Sequence, residues 1–357
     1  MKTPTIAILA ALEGLQAVVA QQIASTPVWV DATTCNPWAK SNGFPAAAGL
    51  FTTALDILNK IVNVNLYRMY NPSKQSPAAL PANVLAWERY RLNSTFDAFF
   101  GNNTDTKAYA LGVWDVAYQL WGIQAQWGPA NSDPYIFVVC DDAPYLSKNS
   151  NGKLVYTDPY YYATVELDSN AIVNDGVTTP CAMNNQSSYT AANRDNQSLN
   201  VILCIKNTNL PLGFTSNGPA TFTSGTTLDI AGKSWLGALY TQALWTFGFV
   251  GGSPSAHSFT ASHAMRNTRD AIFNPDSNKF FAFALMFDGL FWGSGVGQTS
   301  QQEYTSLQKT VAGKKIIAAF GLDIFLVPAR DITWASGWVP PNMLDNQSRN
   351  LEAIPRA

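Results

Sequence analysis

Histidine and charge are what this chain is short of. The sequence holds two histidines in 357 residues, and Asp, Glu, Lys and Arg together make up 13% of it. That charged fraction is about half the usual one, and it leaves solubility to Asn, Ser, Thr and any attached glycans. The net charge is −2, which gives no reason to expect nucleic acid or an anionic membrane surface as partner. After the N-terminal stretch no run approaches the ~18 consecutive apolar residues of a membrane span, and the closing Leu351–Ala357 segment is too polar and short for a lipid-anchor signal. Internal repeats and low-complexity tracts are also absent. Between Asp229 and Asp270 there is no acidic residue at all.

The first residues combine Lys2, an apolar stretch over Thr5–Ala20, and small residues in Val18-Val19-Ala20. This is the pattern of a secretory signal peptide over residues 1–20, followed by one domain over 21–357. Two further features agree with an extracellular setting. Asn93, Asn102, Asn185, Asn196 and Asn346 each open an Asn-x-Ser/Thr sequon, a glycan acceptor in a secreted chain. The cysteines number four, Cys35, Cys140, Cys181 and Cys204, and an even count outside the cell favours disulfides. Three pairings are open; proximity favours Cys181 with Cys204, leaving Cys35 with Cys140. A cysteine zinc site is the weaker reading, because no two of the four fall within zinc-ribbon spacing.

Periodicity places helices at the start. Leu50, Ala54, Leu58, Ile61 and Leu66 recur on one face between Pro45 and Tyr70, and Asn71-Pro72 stops the run. Asn83–Leu92, Phe96–Phe100 and Thr106–Trp121 continue the helical layer, with Val113, Val116 and Leu120 on one face and Asp105 or Thr106 as a cap. The middle changes character: Tyr135–Cys140 and Val201–Ile205 read as buried strands, and Lys153–Tyr156 with Tyr161–Val165 as a hairpin. Asn174–Gln197 reads as a loop. Lys233–Val250 is apolar almost all round, the pattern of a buried helix, and Phe280–Phe291 and Gln301–Phe320 are expected to be helical too. The fold class is therefore α+β, mainly helical with a small mixed sheet.

Four blocks carry a resemblance. They are Phe96-Asp97-Ala98-Phe99-Phe100-Gly101 with Val113–Leu120; Val201-Ile202-Leu203-Cys204 with Leu210-Pro211; Gly237-Ala238-Leu239-Tyr240; and Asn274-Pro275-Asp276-Ser277-Asn278-Lys279-Phe280-Phe281-Ala282. In that order and spacing, over residues 45–290, they resemble the deuterolysin-like (aspzincin) secreted metalloproteases of fungi, a family that includes lysine-specific metallo-endopeptidases. The resemblance implies a zincin-like fold whose active helix carries His-Glu-x-x-His, with an aspartate downstream as third zinc ligand. Laid on this chain, the histidines fall on Thr241 and Trp245 and the glutamate on Gln242. After Gly251-Gly252, where the aspartate loop is due, Ser253-Pro254-Ser255 follows. A neutral amide is no general base, and indole offers no metal-binding nitrogen. The motif is degenerate, so no catalytic residue, zinc or other cofactor is expected. The implied role is a pseudo-metallopeptidase whose cleft is kept as a binding surface for a peptide or protein.

The alternative is an active hydrolase or metallopeptidase with a non-standard zinc site around His257, His263 and Asp270, since His and Asp both bind zinc. Their spacing matches neither one face of a helix nor alternate positions of a strand. Neither Ser253 nor Ser255 sits in a Gly-x-Ser-x-Gly elbow. Gly293-Ser294-Gly295-Val296-Gly297 does not follow a strand and reads as a turn rather than a phosphate cradle. Asp141-Asp142 is a carboxylate pair read as a solvated strand end. Asn-Gly at Asn151 and Asn217 marks turns.

Overall fold

A computed structural model describes residues 20–22, 28–70, 82–102, 112–118, 120, 136–160, 162–167, 181, 188–193, 198–205, 214–215, 218–219, 222–232, 234–246, 258–287 and 289–320. At its centre is a five-stranded mixed sheet in the order β1-β2-β3-β8-β7. Its strands are β1 (Ala20–Gln22), β2 (Val28–Asp31), β3 (Ile136–Val139), β7 (Ser188–Asn193) and β8 (Ser198–Leu203). β2, β3 and β8 run parallel, while β1 and β7 are antiparallel to their neighbours at the two edges.

Alternation along the strands gives the sheet two buried faces. Val28, Val30, Val138, Val201 and Leu203 join the helical core. Phe137, Val139, Tyr189, Ala191 and Ile202 face a second core. That second core is roofed by a small antiparallel sheet of β4 (Leu146–Lys148), β5 (Leu154–Thr157) and β6 (Thr164–Glu166), from which Tyr156 points inward.

The helical layer begins with α1 (Ala32–Ser41), whose N-cap Asp31 accepts from the Thr33 and Thr34 amides. α2 (Ala47–Tyr70) and α3 (Ala82–Phe100) follow, then helical residues 112–118. The expected pieces Asn83–Leu92 and Phe96–Phe100 are one continuous helix. The caps expected at Asp105 and Thr106 lie outside the described residues. α4 (Leu228–Gly232) leads into α5 (Trp235–Thr246), and the short α6 (Phe259–Ala264) and α7 (Arg269–Phe273) precede α8 (Pro275–Met286).

α8 is the hub of the core, and every one of its twelve residues is buried. Asn274 caps it by accepting from Ser277 N at 2.9 Å, with Pro275 in the first turn where a missing N–H costs nothing. Its start at Pro275 lies earlier than the expected Phe280, because the cap and not the apolar run sets the beginning. Around Phe281 the rings of Phe96, Phe99 and Phe100 pack edge-on at 5.3–6.3 Å.

Two other expectations are corrected. Gln301–Phe320 is two helices, α9 (Ser300–Gln308) and α10 (Val311–Phe320), because the Thr310 hydroxyl accepts from Gly313 N at 2.9 Å and starts a new helix. The expected loop over Asn174–Gln197 contains the edge strand β7. Both disulfides form as proximity suggested: Cys35–Cys140 ties α1 to the end of β3, and Cys181–Cys204 ties the residues before β7 to the end of β8. Among the described residues no helix is long and apolar enough to cross a membrane.

Candidate functional site

α5 carries Thr241, Gln242 and Trp245, the positions on which the resemblance lays the zinc motif, and its own start explains how it is placed. The Ser234 hydroxyl accepts from Gly237 N at 3.0 Å. A Cβ on Gly237 would fall on the Gly232 carbonyl, and one on Gly232 would fall on the Phe280 ring. Gly237 therefore lets α5 start at backbone distance from the end of α4, and Gly232 makes room for the Phe280 ring of α8. From Trp235 to Leu244 all non-glycine residues are buried, as the all-round apolar pattern implied.

Gln242 is 2% exposed and bonded at both its oxygen and its nitrogen. Its Oε1 accepts from the Thr190 hydroxyl, and its Nε2 donates to Ser188 Oγ at 3.1 Å. Both partners belong to β7, so one amide clamps the edge strand onto the helix. The neighbouring Thr241 donates from Oγ1 to Asp276 Oδ1 at 3.5 Å. That same carboxylate oxygen accepts from Lys279 Nζ, and the ammonium also lies 4.8 Å from the centre of the Phe280 ring. Asp276 and Lys279 are 1% and 5% exposed, so a charged pair is buried between α5 and α8. Burial alone holds the Tyr240 phenol well above its ordinary pKa.

These side chains do not fit zinc. The Thr241 hydroxyl is spent on Asp276, and the Gln242 amide is spent on two hydroxyls. The Trp245 side chain and His257 lie outside the described residues. His263, on α6, stacks on Phe259 at 5.6 Å and donates from Nδ1–H to the Ala98 carbonyl at 2.7 Å. Asp270 stands exposed in the first turn of α7. Among the described residues no three His, Cys, Asp or Glu side chains come together as a metal site.

The far side of the sheet holds what the sequence reading missed. Asp142 is not a solvated strand end: it is 1% exposed, and its Oδ2 accepts from Tyr189 O–H and from Cys181 N, each at 2.8 Å. Asp31 accepts from Tyr145 O–H at 2.7 Å and from the Thr34 hydroxyl at 2.5 Å. Asn200 donates to Asp158 at 2.7 Å. Burial first, and then the nearby carboxylates, push the Tyr145, Tyr156 and Tyr189 phenols upward. Only Asp141-Asp142 gave any sequence signal of this network; the tyrosines that satisfy it come from distant segments.

Of the sequons, Asn102 is exposed just past the end of α3. Asn93 sits within that helix, half-buried, with its Oδ1 shielded from solvent, a poor place for a bulky glycan. Asn185, Asn196 and Asn346 lie outside the described residues, as does the segment expected to be the signal peptide up to residue 19. Gly293–Gly297 forms a turn, with Gly295 in the left-handed region at φ +78°; its Gly295 carbonyl accepts from Leu228 N at the start of α4, and its Gly297 amide donates to the Thr226 carbonyl just before it. No protein-family model, curated protein or solved structure matches this chain.

Proposed function

We propose that this protein is a secreted, catalytically inactive relative of the deuterolysin-like metalloproteases, with a zincin-like scaffold that binds an extended peptide or protein segment. The observation that carries this reading is the Gln242 clamp. The residue at the position of the family's catalytic glutamate is an amide, and both its polar ends are tied to β7. The order of strand β8, Cys204 and then buried helix α5 is the one the resemblance implies. β7 is an edge strand, and among the described residues no other strand pairs with its outer side. An edge of this kind takes up an extended peptide by main-chain hydrogen bonds. The two disulfides suit an oxidising compartment.

Two measurements test this. Elemental analysis after dialysis against trace metal should find no stoichiometric zinc, and casein should not be cleaved in a chelator-sensitive way. Selection from a random peptide library should yield binders whose complexes protect the amides of residues 188–193 from hydrogen exchange. Stoichiometric zinc removes the pseudoenzyme half, and binders that protect a different surface remove the edge-strand half.

A further inference from the structure

Three Asn-Gly steps occur in the chain, at Asn42, Asn151 and Asn217, and the structure describes the first two in different states. Asn151 is exposed at the tip of the β4–β5 hairpin, followed by an exposed Gly152 at φ +76°. The turn is held through Asn149, whose N–H also donates to the Lys153 carbonyl at 2.9 Å. Asn149 Oδ1 accepts from the Asn151 and Lys153 amides at 3.0 Å, and the Asn149 carbonyl accepts from Gly152 N at 2.9 Å. Among the described residues no hydrogen bond engages the Asn151 side chain itself. Both glycines stand in open space and both donate their N–H to a carbonyl, Gly152 to Asn149 at 2.9 Å and Gly43 to Lys40 at 3.1 Å, so what separates the two steps is the state of the asparagine side chain.

Asn42 differs. It closes α1, it is half-buried, and its Nδ2 donates to the Trp38 carbonyl at 2.8 Å and to Ser41 Oγ at 3.4 Å. Moving that amide carbon toward the Gly43 nitrogen breaks these bonds and the helix cap with them.

We propose that Asn151 is a site of spontaneous deamidation and isoaspartate formation in the folded protein. The Gly152 N–H leaves the Asn149 carbonyl as the exposed turn opens, loses its proton to solvent base, and the nitrogen attacks Asn151 Cγ. The C–N bond to the side-chain amide breaks, ammonia leaves, and a five-membered succinimide remains. Water then opens either of its carbonyls, giving aspartate or isoaspartate, with no oxidant or cofactor needed. The product places a new carboxylate on the hairpin whose surface already pairs Glu166 with Lys153 at 2.8 Å and with Asn149 at 2.6 Å. In the isoaspartate form it also lengthens the backbone through the turn, which loosens β4 from β5 over the second core. None of this rests on the peptide-binding reading.

The test is incubation of the intact, oxidised protein in mildly alkaline buffer below its unfolding temperature, followed by peptide mapping with isoaspartate detection. Residue 151 should convert faster than residue 42 by on the order of tenfold or more, because the Asn42 amide must first lose its hydrogen bonds. After full denaturation and disulfide reduction the two sites should converge, since both are then Asn-Gly in an open chain. The Asn151→Gln variant should fold as the parent does and show no conversion at that position. Equal rates in the folded protein, or Asn42 ahead of Asn151, would overturn the proposal.

Discussion

A carboxylate and an ammonium that are both withdrawn from water depend on each other more than on the rest of the fold. Asp276 and Lys279 lie one turn apart on α8 and pair inside the core, next to Thr241. Taking two charges out of water costs several kcal/mol per ion, and their attraction offsets that cost only while both are present. Lys279→Met should therefore destabilise the protein by about 3–5 kcal/mol, because it leaves Asp276 buried without its cation. The double variant Asp276→Leu with Lys279→Met should lose much less than either single change, as an apolar pair of similar volume needs no compensation. Urea unfolding of the three variants checks this. If the double variant is as unstable as Lys279→Met, the pair is contributing something beyond mutual neutralisation. Gln242 belongs to the same scale: an amide, unlike a glutamate, can donate to Ser188 and accept from Thr190 at once. This is why a single amide at this position can attach β7 to α5 through both of its ends.

Among the elements, legibility followed side-chain chemistry. α2 was readable because Leu50, Ala54, Leu58, Ile61 and Leu66 repeat at helical spacing, and all of them are buried. β3 and β8 were readable because both their faces are covered, which demands an unbroken apolar run. β7 was not. One face of it needs hydroxyls for Gln242 and the other carries Tyr189 and Ala191, so Ser-Tyr-Thr-Ala-Ala-Asn has the composition of a loop. α1 was hidden for a similar reason, since Pro37 lies inside it and its start is set by Asp31, the last residue of β2. Of the site, the positions on α5 could be placed from sequence, but their partners on β7 and α8 are brought there only by tertiary packing.

β7 is also the element whose placement depends most on a covalent tie. The Cys181–Cys204 disulfide closes a loop with a sequence separation of 23 that contains the whole strand. Removing both sulfurs with Cys181→Ala and Cys204→Ala should cost about 2–4 kcal/mol, mainly by returning conformational freedom to the unfolded chain. The Gln242 bonds and the ladder to β8 remain, so hydrogen exchange should still show β7 protected in the folded variant. If the strand exchanges freely while α8 stays protected, the disulfide and not the clamp holds the edge in place.

For the molecule as a whole, the tyrosines report on how the fold fails at high pH. The chain has 14 of them, and burial raises the pKa of Tyr90, Tyr145, Tyr156, Tyr189 and Tyr240. A raised phenol pKa means that the folded state holds the proton more tightly than the unfolded chain does. The resulting stability is complete below the unfolded value near 10 and is lost as pH rises above it. Above that point each of the well-buried phenols Tyr156, Tyr189 and Tyr240 should lower stability by about 1.4 kcal/mol per pH unit. Three of them titrating together outweigh a typical margin of 5–15 kcal/mol within a few pH units. The three are spread over both cores, Tyr156 pointing inward from the β4–β5–β6 roof, Tyr189 on β7 facing it and Tyr240 on α5. Ionisation of any one therefore opposes the packing of the sheet from one side or the other, and the transition should be single and cooperative. An alkaline titration should show exposed tyrosines ionising first, by phenolate absorbance, with no change in near-ultraviolet circular dichroism. The buried set should then appear in one step that coincides with loss of the dichroism signal. Smooth ionisation of all the tyrosines with the tertiary signal intact would mean that the two cores admit hydroxide without unfolding, and that the hydrogen bonds from Tyr145 and Tyr189 to buried carboxylates do not anchor the sheet.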